Sequence, residues 1–259
     1  MSRRPANQSR RFGDTGGGLF SASKSRSSPI LSVCLVILGG LLLLAYSYSN
    51  SGGNSRLESV SRVEGDYLCT AEVQRAIPIL QKTYGDSMRK VLHVGPDTCY
   101  VVSKLLKEDE TEAWGLEPYD IEDADSSCKT LVHKGLVRVA DIKFPLPYRP
   151  KSFSLVIVSD ALDYLSPRYL NKTLPDLARV SADGVVIFTG LPGNQKSKVA
   201  DVSKFGRAAK MRSSSWWVKY FVQTNLEENE AASKKFVQAS TTNSYVDPKC
   251  QIFHLKSLS

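Results

Sequence analysis

One run constrains the fold more than any other: Val91-Leu-His-Val-Gly-Pro-Asp-Thr-Cys99, followed by Trp114-Gly-Leu-Glu117. It reads as a buried strand, a sharp turn at Gly95, a helix, and a second strand that ends on a carboxylate. Short apolar runs continue to alternate with helical patterns downstream, which indicates an α/β domain with a mostly parallel sheet. Strands are predicted at 91–94, 112–116, 136–140, 154–159 and 184–190, each nearly continuous in apolar residues, as strands covered on both faces should be. Helices are predicted near 98–107 and 121–132, and another after Thr70 with Val73, Ile77 and Leu80 on one face. Ser166-Pro167 opens a further helix, with proline at the first helical position. Pro175 is expected to start a fresh helix leading to Val180. The apolar spacing of Ser215–Phe221 predicts a helix from about 214 to 225. Residues 227–239 fit helix or strand equally, and Gln251–Lys256 reads as a last, antiparallel strand. No internal repeat is visible, which argues against a solenoid or a parallel β-helix.

Ahead of this domain lie three segments of different character. Residues 1–29 are rich in Ser, Gly and Arg and lack apolar periodicity, the composition of a disordered tail. Residues 30–48 are apolar or small and uncharged. At roughly 1.5 Å per residue such a run is long enough to span a hydrocarbon core of about 30 Å. A cleaved signal peptide would have a shorter apolar core nearer the start. Arg3, Arg4, Arg10, Arg11, Lys24 and Arg26 precede the run against Asp14 alone, so the positive-inside rule places the N-terminus in the cytosol. The expected layout is a type II signal anchor, a stem over 49–66, and a lumenal domain over 67–259. Golgi membranes are the expected location, by analogy with resident lumenal transferases and from the short span.

The tail holds five of the eight net positive charges. Within the lumenal part, Lys196, Lys198, Lys204, Arg207, Lys210, Arg212 and Lys219 cluster against Asp201. Cys69, Cys99, Cys128 and Cys250 lie on the side of the membrane where disulfides persist, and their pairing is open among three schemes. The cysteines form no CxxC, and His93, His133 and His254 are scattered, so no zinc site is expected. Asn171-Lys-Thr173 is a glycosylation acceptor motif that this topology would expose.

A strand, a glycine turn and a helix, followed by a strand-end acid, is how a Rossmann-like domain holds an adenosine, with the acid on the ribose hydroxyls. Here Asp97 and Cys99 stand where further glycines are expected. The order of motifs resembles the class I S-adenosylmethionine-dependent methyltransferases over roughly residues 85–190. Val91–Gly95 is similar to their first motif, Ala140-Asp141-Ile142 to the acidic residue after strand three, and Phe144-Pro-Leu-Pro-Tyr148 to the approach to strand four. Together with Trp216-Trp217, Leu226-Glu-Glu-Asn-Glu230 and Gln251-Ile-Phe-His-Leu255, nearly the whole chain resembles the plant cotton-Golgi-related (CGR) family. That family is associated with methylesterification of homogalacturonan pectin in the Golgi.

The resemblance implies a Rossmann-like methyltransferase sheet, mostly parallel with an antiparallel last strand, behind the membrane helix, and S-adenosylmethionine as cofactor. Gly95 would then admit the cofactor, Glu117 would accept both ribose hydroxyls and Asp141 would receive the adenine amino group. Asp97 would serve the cofactor's amino-acid end or cap the next helix. Asp160 and Tyr164 would border the acceptor. Lys204, Arg207, Lys210 and Arg212, beyond the carboxyl end of the fifth strand, would pair with galacturonate carboxylates. Homogalacturonan and a wall-polysaccharide synthesis complex are the partners expected, with no nucleic acid. A uronate carboxylate is ionised near neutral pH and is its own nucleophile, so the reaction needs alignment and no general base. Two other functions fit the chain: a non-catalytic scaffold with this fold, and an esterase removing the same methyl groups, which the lack of a G-x-S-x-G elbow disfavours.

Overall fold

Side chains alternate across a strand with period two, so a strand buried on both faces must be covered by helices from both sides. The computed structural model describes residues 67–118, 121, 124–193 and 209–258. The tail, the 30–48 run, the stem, and Lys196, Lys198, Lys204 and Arg207 lie outside the described residues. Among the described residues no helix is long and apolar enough to cross a membrane.

In chain order come α1 (Leu68–Tyr84), a 3-10 turn (Gly85–Arg89), β1 (Lys90–Val94), α2 (Thr98–Leu105), β2 (Glu112–Glu117), α3 (Ser126–His133), β3 (Val137–Val139) and β4 (Phe153–Ser159). A second 3-10 turn (Ala161–Tyr164) leads to α4 (Pro167–Val180) and β5 (Ser181–Gly190), then α5 (Ser214–Gln223), α6 (Glu230–Thr242) and β6 (Cys250–Leu255). The sheet order is β3-β2-β1-β4-β5-β6, parallel except that β6 runs antiparallel to β5. Every strand predicted from the sequence is present, and the last has the predicted sense.

Leu92, Val94, Val156, Val158, Val185 and Ile187 pack on one face against Leu170, Leu174 and Leu177 of α4 and Trp217 and Phe221 of α5. Their neighbours Val91, Leu155, Ile157, Val186 and Phe188 pack on the other face against α1, α2 and Phe236 of α6.

Four local expectations are corrected. Pro175 does not start a new helix: α4 runs through it. The proline removes one backbone donor, but the stripe Leu170–Leu174–Leu177 is buried on the sheet and holds the helix together. The helix expected from 121 begins at Ser126, because the Asp125 carboxylate accepts from the Cys128 amide and caps it there. Residues 227–239 resolve into an entry strap and α6, whose N-cap is Asn229. The helix predicted after Thr70 starts two residues before it, at Leu68.

The four cysteines form Cys69–Cys250 and Cys99–Cys128, one of the three pairings open from sequence. The first bond ties the start of α1 to the start of β6 across a separation of 181 residues, and the second ties α2 to α3 across 29. A longer closed loop removes more entropy from the unfolded chain. Replacing Cys69 and Cys250 with alanine is therefore expected to cost more than replacing Cys99 and Cys128. Losses of about 5 against about 3.5 kcal/mol are the chain-entropy values. Urea unfolding of the two double variants checks the order, and a larger loss from the shorter loop would contradict it.

Candidate functional site

In this strand order the chain leaves β1 toward one side of the sheet and enters β4 on the other, so the crevice between the carboxyl ends of β1 and β4 is where such sheets place ligands. Gly95, Asp97, Glu117, Asp160 and Tyr164 all belong to segments at these carboxyl ends. The Gly95 amide donates to Leu116 O at 3.1 Å, which extends the β1–β2 pairing into the turn. A Cβ on Gly95 would stand 2.6 Å from both the carbonyl and the hydroxyl oxygen of Ser159. The glycine is therefore required by the close approach of β4. Asp97 follows with φ +54°, in the left-handed region that Asp tolerates better than most residues, immediately before α2.

Glu117 is buried at the end of β2, and its Oε2 accepts from the Thr98 amide at 3.1 Å. That amide belongs to the first turn of α2, where helices carry unpaired donors and favour negative charge. The carboxylate is thus fixed beside the Gly95 turn. The position of α2 depends on Gly115, where a Cβ would stand 2.7 Å from Thr98 Oγ1 and 3.0 Å from a Val102 methyl. Rossmann-like turns use a loop glycine for close helix–strand packing. Here the glycine sits in the strand, one cause of the eroded loop pattern in the sequence.

Asp160, expected to border the acceptor, is buried. Its Oδ1 accepts from the Cys69 amide at 3.2 Å, and its Oδ2 from the Thr70 amide at 2.7 Å and the Thr70 hydroxyl at 3.0 Å. It therefore caps α1 from ninety residues away in sequence. Burial raises its pKa to about 7 against these hydrogen bonds, which pull it down. Asp163 lies in the following 3-10 turn, with Oδ2 accepting from the Gly190 amide at 2.8 Å and Oδ1 buried without a hydrogen bond among the described residues. Its pKa is also raised to about 7, first by burial and next opposed by the Gly190 amide, with Arg212 lowering it further.

His93 is completely buried in β1, with Nδ1 2.7 Å from Thr98 Oγ1 and Nε2 3.0 Å from Ser159 Oγ. Burial depresses its pKa to about 3, so it is neutral at ordinary pH. The Ser159 hydroxyl lies 2.7 Å from that of Thr70, which also reaches Pro96 O at 3.0 Å. Thr70, Ser159 and Asp163 went unrecognised in the sequence, and no local pattern marks them.

The basic cluster divides. Lys210 is exposed, while its amide donates to Asp163 O at 2.8 Å. Arg212 is a correction: it is buried rather than presented to a polymer, and its guanidinium donates to the carbonyls of Leu162, Leu165 and Lys210. It also lies over Trp216 at 4.8 Å and Trp217 at 5.5 Å. Trp216 stacks on Tyr220 with ring centroids 4.8 Å apart, and Trp217 is fully buried, so the pair builds core rather than a sugar platform.

Asp141 is exposed just after β3, paired with Lys143 at 2.9 Å. Tyr164 is half-buried at the end of the second 3-10 turn. Asn171 is exposed on α4, its side-chain oxygen accepting from the Tyr220 hydroxyl. A cavity of about 370 Å³ lined by Val222, Leu226 and Glu230 opens at the opposite end of the sheet, where Glu228 bridges Leu255, and holds none of these groups.

Two curated proteins of Arabidopsis thaliana match from end to end. The chain is 69% identical over 261 residues to "Probable pectin methylesterase CGR2", and 70% identical to "Probable pectin methylesterase CGR3", covering 100% of each chain in both cases. It belongs to the CGR family. No protein-family model matches the CGR chain described here. Among solved structures it is similar to the pyocyanin biosynthetic protein PhzM (13% identity, 88% of this chain and 68% of that one, TM-score 0.49). It is also similar to the [4+2]-cyclase SpnF (11%, 71% and 80%, TM-score 0.48). A third is a Haemonchus contortus phosphoethanolamine N-methyltransferase 2 in complex with S-adenosyl-L-methionine (11%, 71% and 52%, TM-score 0.47). At these scores no chemistry is transferred from them to the CGR chain.

Proposed function

We propose that this chain is a Golgi-lumen methyltransferase that esterifies galacturonate carboxylates of homogalacturonan, with S-adenosylmethionine as methyl donor and the 30–48 run as its membrane anchor. The observation that carries the reading is the buried Glu117 carboxylate, held at the end of β2 by an amide of α2 and set beside the β1 turn. The names of the two Arabidopsis relatives point to the methyl esters of pectin.

The residues present fit the adenosine half of the cofactor. Glu117 offers a carboxylate to a vicinal diol, a match of two acceptor oxygens to two hydroxyl donors. Asp141, exposed after β3, would take the adenine amino group, and Asp97 stands at the turn for the amino-acid end. When bound, S-adenosylmethionine supplies an electrophilic methyl group. The protein's part is to align the acceptor and exclude water, since the uronate carboxylate is already ionised. Tyr164 and the cations Lys204, Arg207 and Lys210, the last of them exposed, are assigned to the acceptor polymer. Arg212 is not, because its guanidinium is engaged inside the fold.

One observation favours a second reading, a non-catalytic scaffold: the space beside Gly95 is filled by Ser159, which accounts for that glycine without a cofactor. Calorimetry of the full-length chain with S-adenosylhomocysteine separates the two, since a scaffold gives no heat of binding. Transfer of labelled methyl from S-adenosylmethionine to polygalacturonate then tests the reaction. Cofactor-independent release of methanol from methyl-esterified pectin would instead establish an esterase. For the polymer, changing Lys204, Arg207 and Lys210 together to alanine is expected to weaken polygalacturonate binding roughly three- to tenfold and to flatten its salt dependence. An unaltered salt dependence would remove these residues from the acceptor site.

A further inference from the structure

His93 stands in the middle of an unbroken run of side-chain hydrogen bonds that crosses the carboxyl end of the sheet. From one end, Asp160 Oδ2 meets Thr70 Oγ1 at 3.0 Å and Thr70 Oγ1 meets Ser159 Oγ at 2.7 Å. Ser159 Oγ meets His93 Nε2 at 3.0 Å, and His93 Nδ1 meets Thr98 Oγ1 at 2.7 Å. The Thr98 amide then holds Glu117. Each hydroxyl has one proton to give, and a neutral imidazole has one donor and one acceptor nitrogen. The directions along the run are therefore coupled wherever the hydroxyls give their protons along it.

With Asp160 ionised, Thr70 donates to the carboxylate, Ser159 to Thr70, His93 Nε2–H to Ser159, and Thr98 to the bare Nδ1. With Asp160 protonated on Oδ2, the carboxyl group donates to Thr70, Thr70 to Ser159, and Ser159 to a bare Nε2. His93 then carries its proton on Nδ1 and donates to Thr98, whose own proton turns to the His93 carbonyl, 3.3 Å away. The two states differ by one proton, taken up at Asp160 from solvent, and every group is satisfied in both. The Pro96 carbonyl, 3.0 Å from the Thr70 hydroxyl, is an acceptor that competes for the Thr70 proton in either state.

We infer that His93 is a positioning residue whose tautomer follows the charge on Asp160, so that the run reverses as a unit and carries the ionisation of Asp160 to Thr98, the residue that holds Glu117. The inference goes beyond the proposed activity and stands on the hydrogen-bond geometry without it. The groups around Asp160 are compatible with a reversible charge there. Burial, and after it the Asp97 charge, disfavour ionisation, while the Thr70 and Cys69 amides and the Thr70 hydroxyl of α1 favour it. Asp163, on the next turn, accepts from the Gly190 amide of β5 and is acted on by the charges of both Asp160 and Arg212. Glu72 of α1 is turned away, to Arg75 and the Lys249 amide. The balance leaves Asp160 titrating near pH 7.

The test uses the full-length chain in detergent, with no cofactor added and with ring nitrogens of its three histidines labelled with nitrogen-15. The His93 proton is expected on Nε2 at pH 8.5 and on Nδ1 at pH 5.5, the two ring-nitrogen shifts exchanging with one midpoint near pH 7. The Thr98 amide shift should move with the same midpoint. In Ser159→Ala the run is cut, and both signals should become independent of pH. Thr70→Val, one link further along, should do the same and serves if the first variant does not fold. One tautomer throughout the range, a ring protonated on both nitrogens at pH 5.5, or switching that survives either cut would overturn the inference. A chain that switches yet binds no S-adenosylhomocysteine would keep the inference and lose the methyltransferase reading.

Discussion

Arg212→Ala is expected to destabilise the fold by roughly 3–5 kcal/mol, the range for removing one member of a buried charged constellation. The guanidinium is nearly inaccessible and supplies donors to three backbone carbonyls. It is also a cation acting on buried Asp163. At about 2–4 °C per kcal/mol for a domain of this size, the melting temperature should fall by roughly 10 °C. The loss should depend on pH. Burial holds the folded pKa of Asp163 near 7, above an ordinary carboxylate value of about 3.9, so its contribution to stability is full at low pH and is lost as pH climbs through 7. Without Arg212 that loss deepens, so the variant should be penalised more at pH 8 than at pH 5. Thermal unfolding at both pH values checks this. A variant of unchanged stability that bound polygalacturonate more weakly would return Arg212 to the acceptor site.

Glu117→Ala should abolish detectable methyl transfer to polygalacturonate. Two hydrogen bonds from a diol to a carboxylate are worth about 3 kcal/mol together at the low end for charged acceptors, which is roughly a hundredfold in affinity. Calorimetry with S-adenosylhomocysteine reads that loss directly, and Glu117→Gln, which keeps the shape and one acceptor oxygen, should fall between. The Thr98 amide also loses its partner, so a modest fall in stability accompanies the change and is measured beside it. Equal affinity in wild type and Glu117→Ala would show that the cofactor, if bound, is held elsewhere.

The strands were legible because a parallel strand covered on both faces is a short unbroken apolar run, and five of these stand between helical patterns. Glu117 and the Gly95 turn were legible for the same local reason. The rest of the site is built by contacts that no window of sequence contains. Asp160 is tied to Thr70 across 90 residues and His93 to Ser159 across 66. Gly115 carries no local mark of its role, which comes from α2 packed against it. Arg212 shows the opposite failure. Its charge placed it in a basic patch by composition, yet the strap over residues 209–213 turns its side chain inward, while Gln251 of β6 bonds the Arg212 carbonyl at 2.8 Å. Pro175 misled in the same way, since a local preference against helix was outweighed by leucines buried along α4.

The Cys69–Cys250 bond has a consequence for how the chain is made. Synthesis proceeds from the N-terminus, so Cys69 emerges long before its partner, 181 residues further along. The amides that donate to Asp160 belong to Cys69 and Thr70, at the end of α1 that this bond anchors. The acidic half of the crevice thus receives its final fastening only after Cys250 has been made and has paired with Cys69. A chain stopped before residue 250 would hold every residue of β1 to β5 and lack the partner of Cys69.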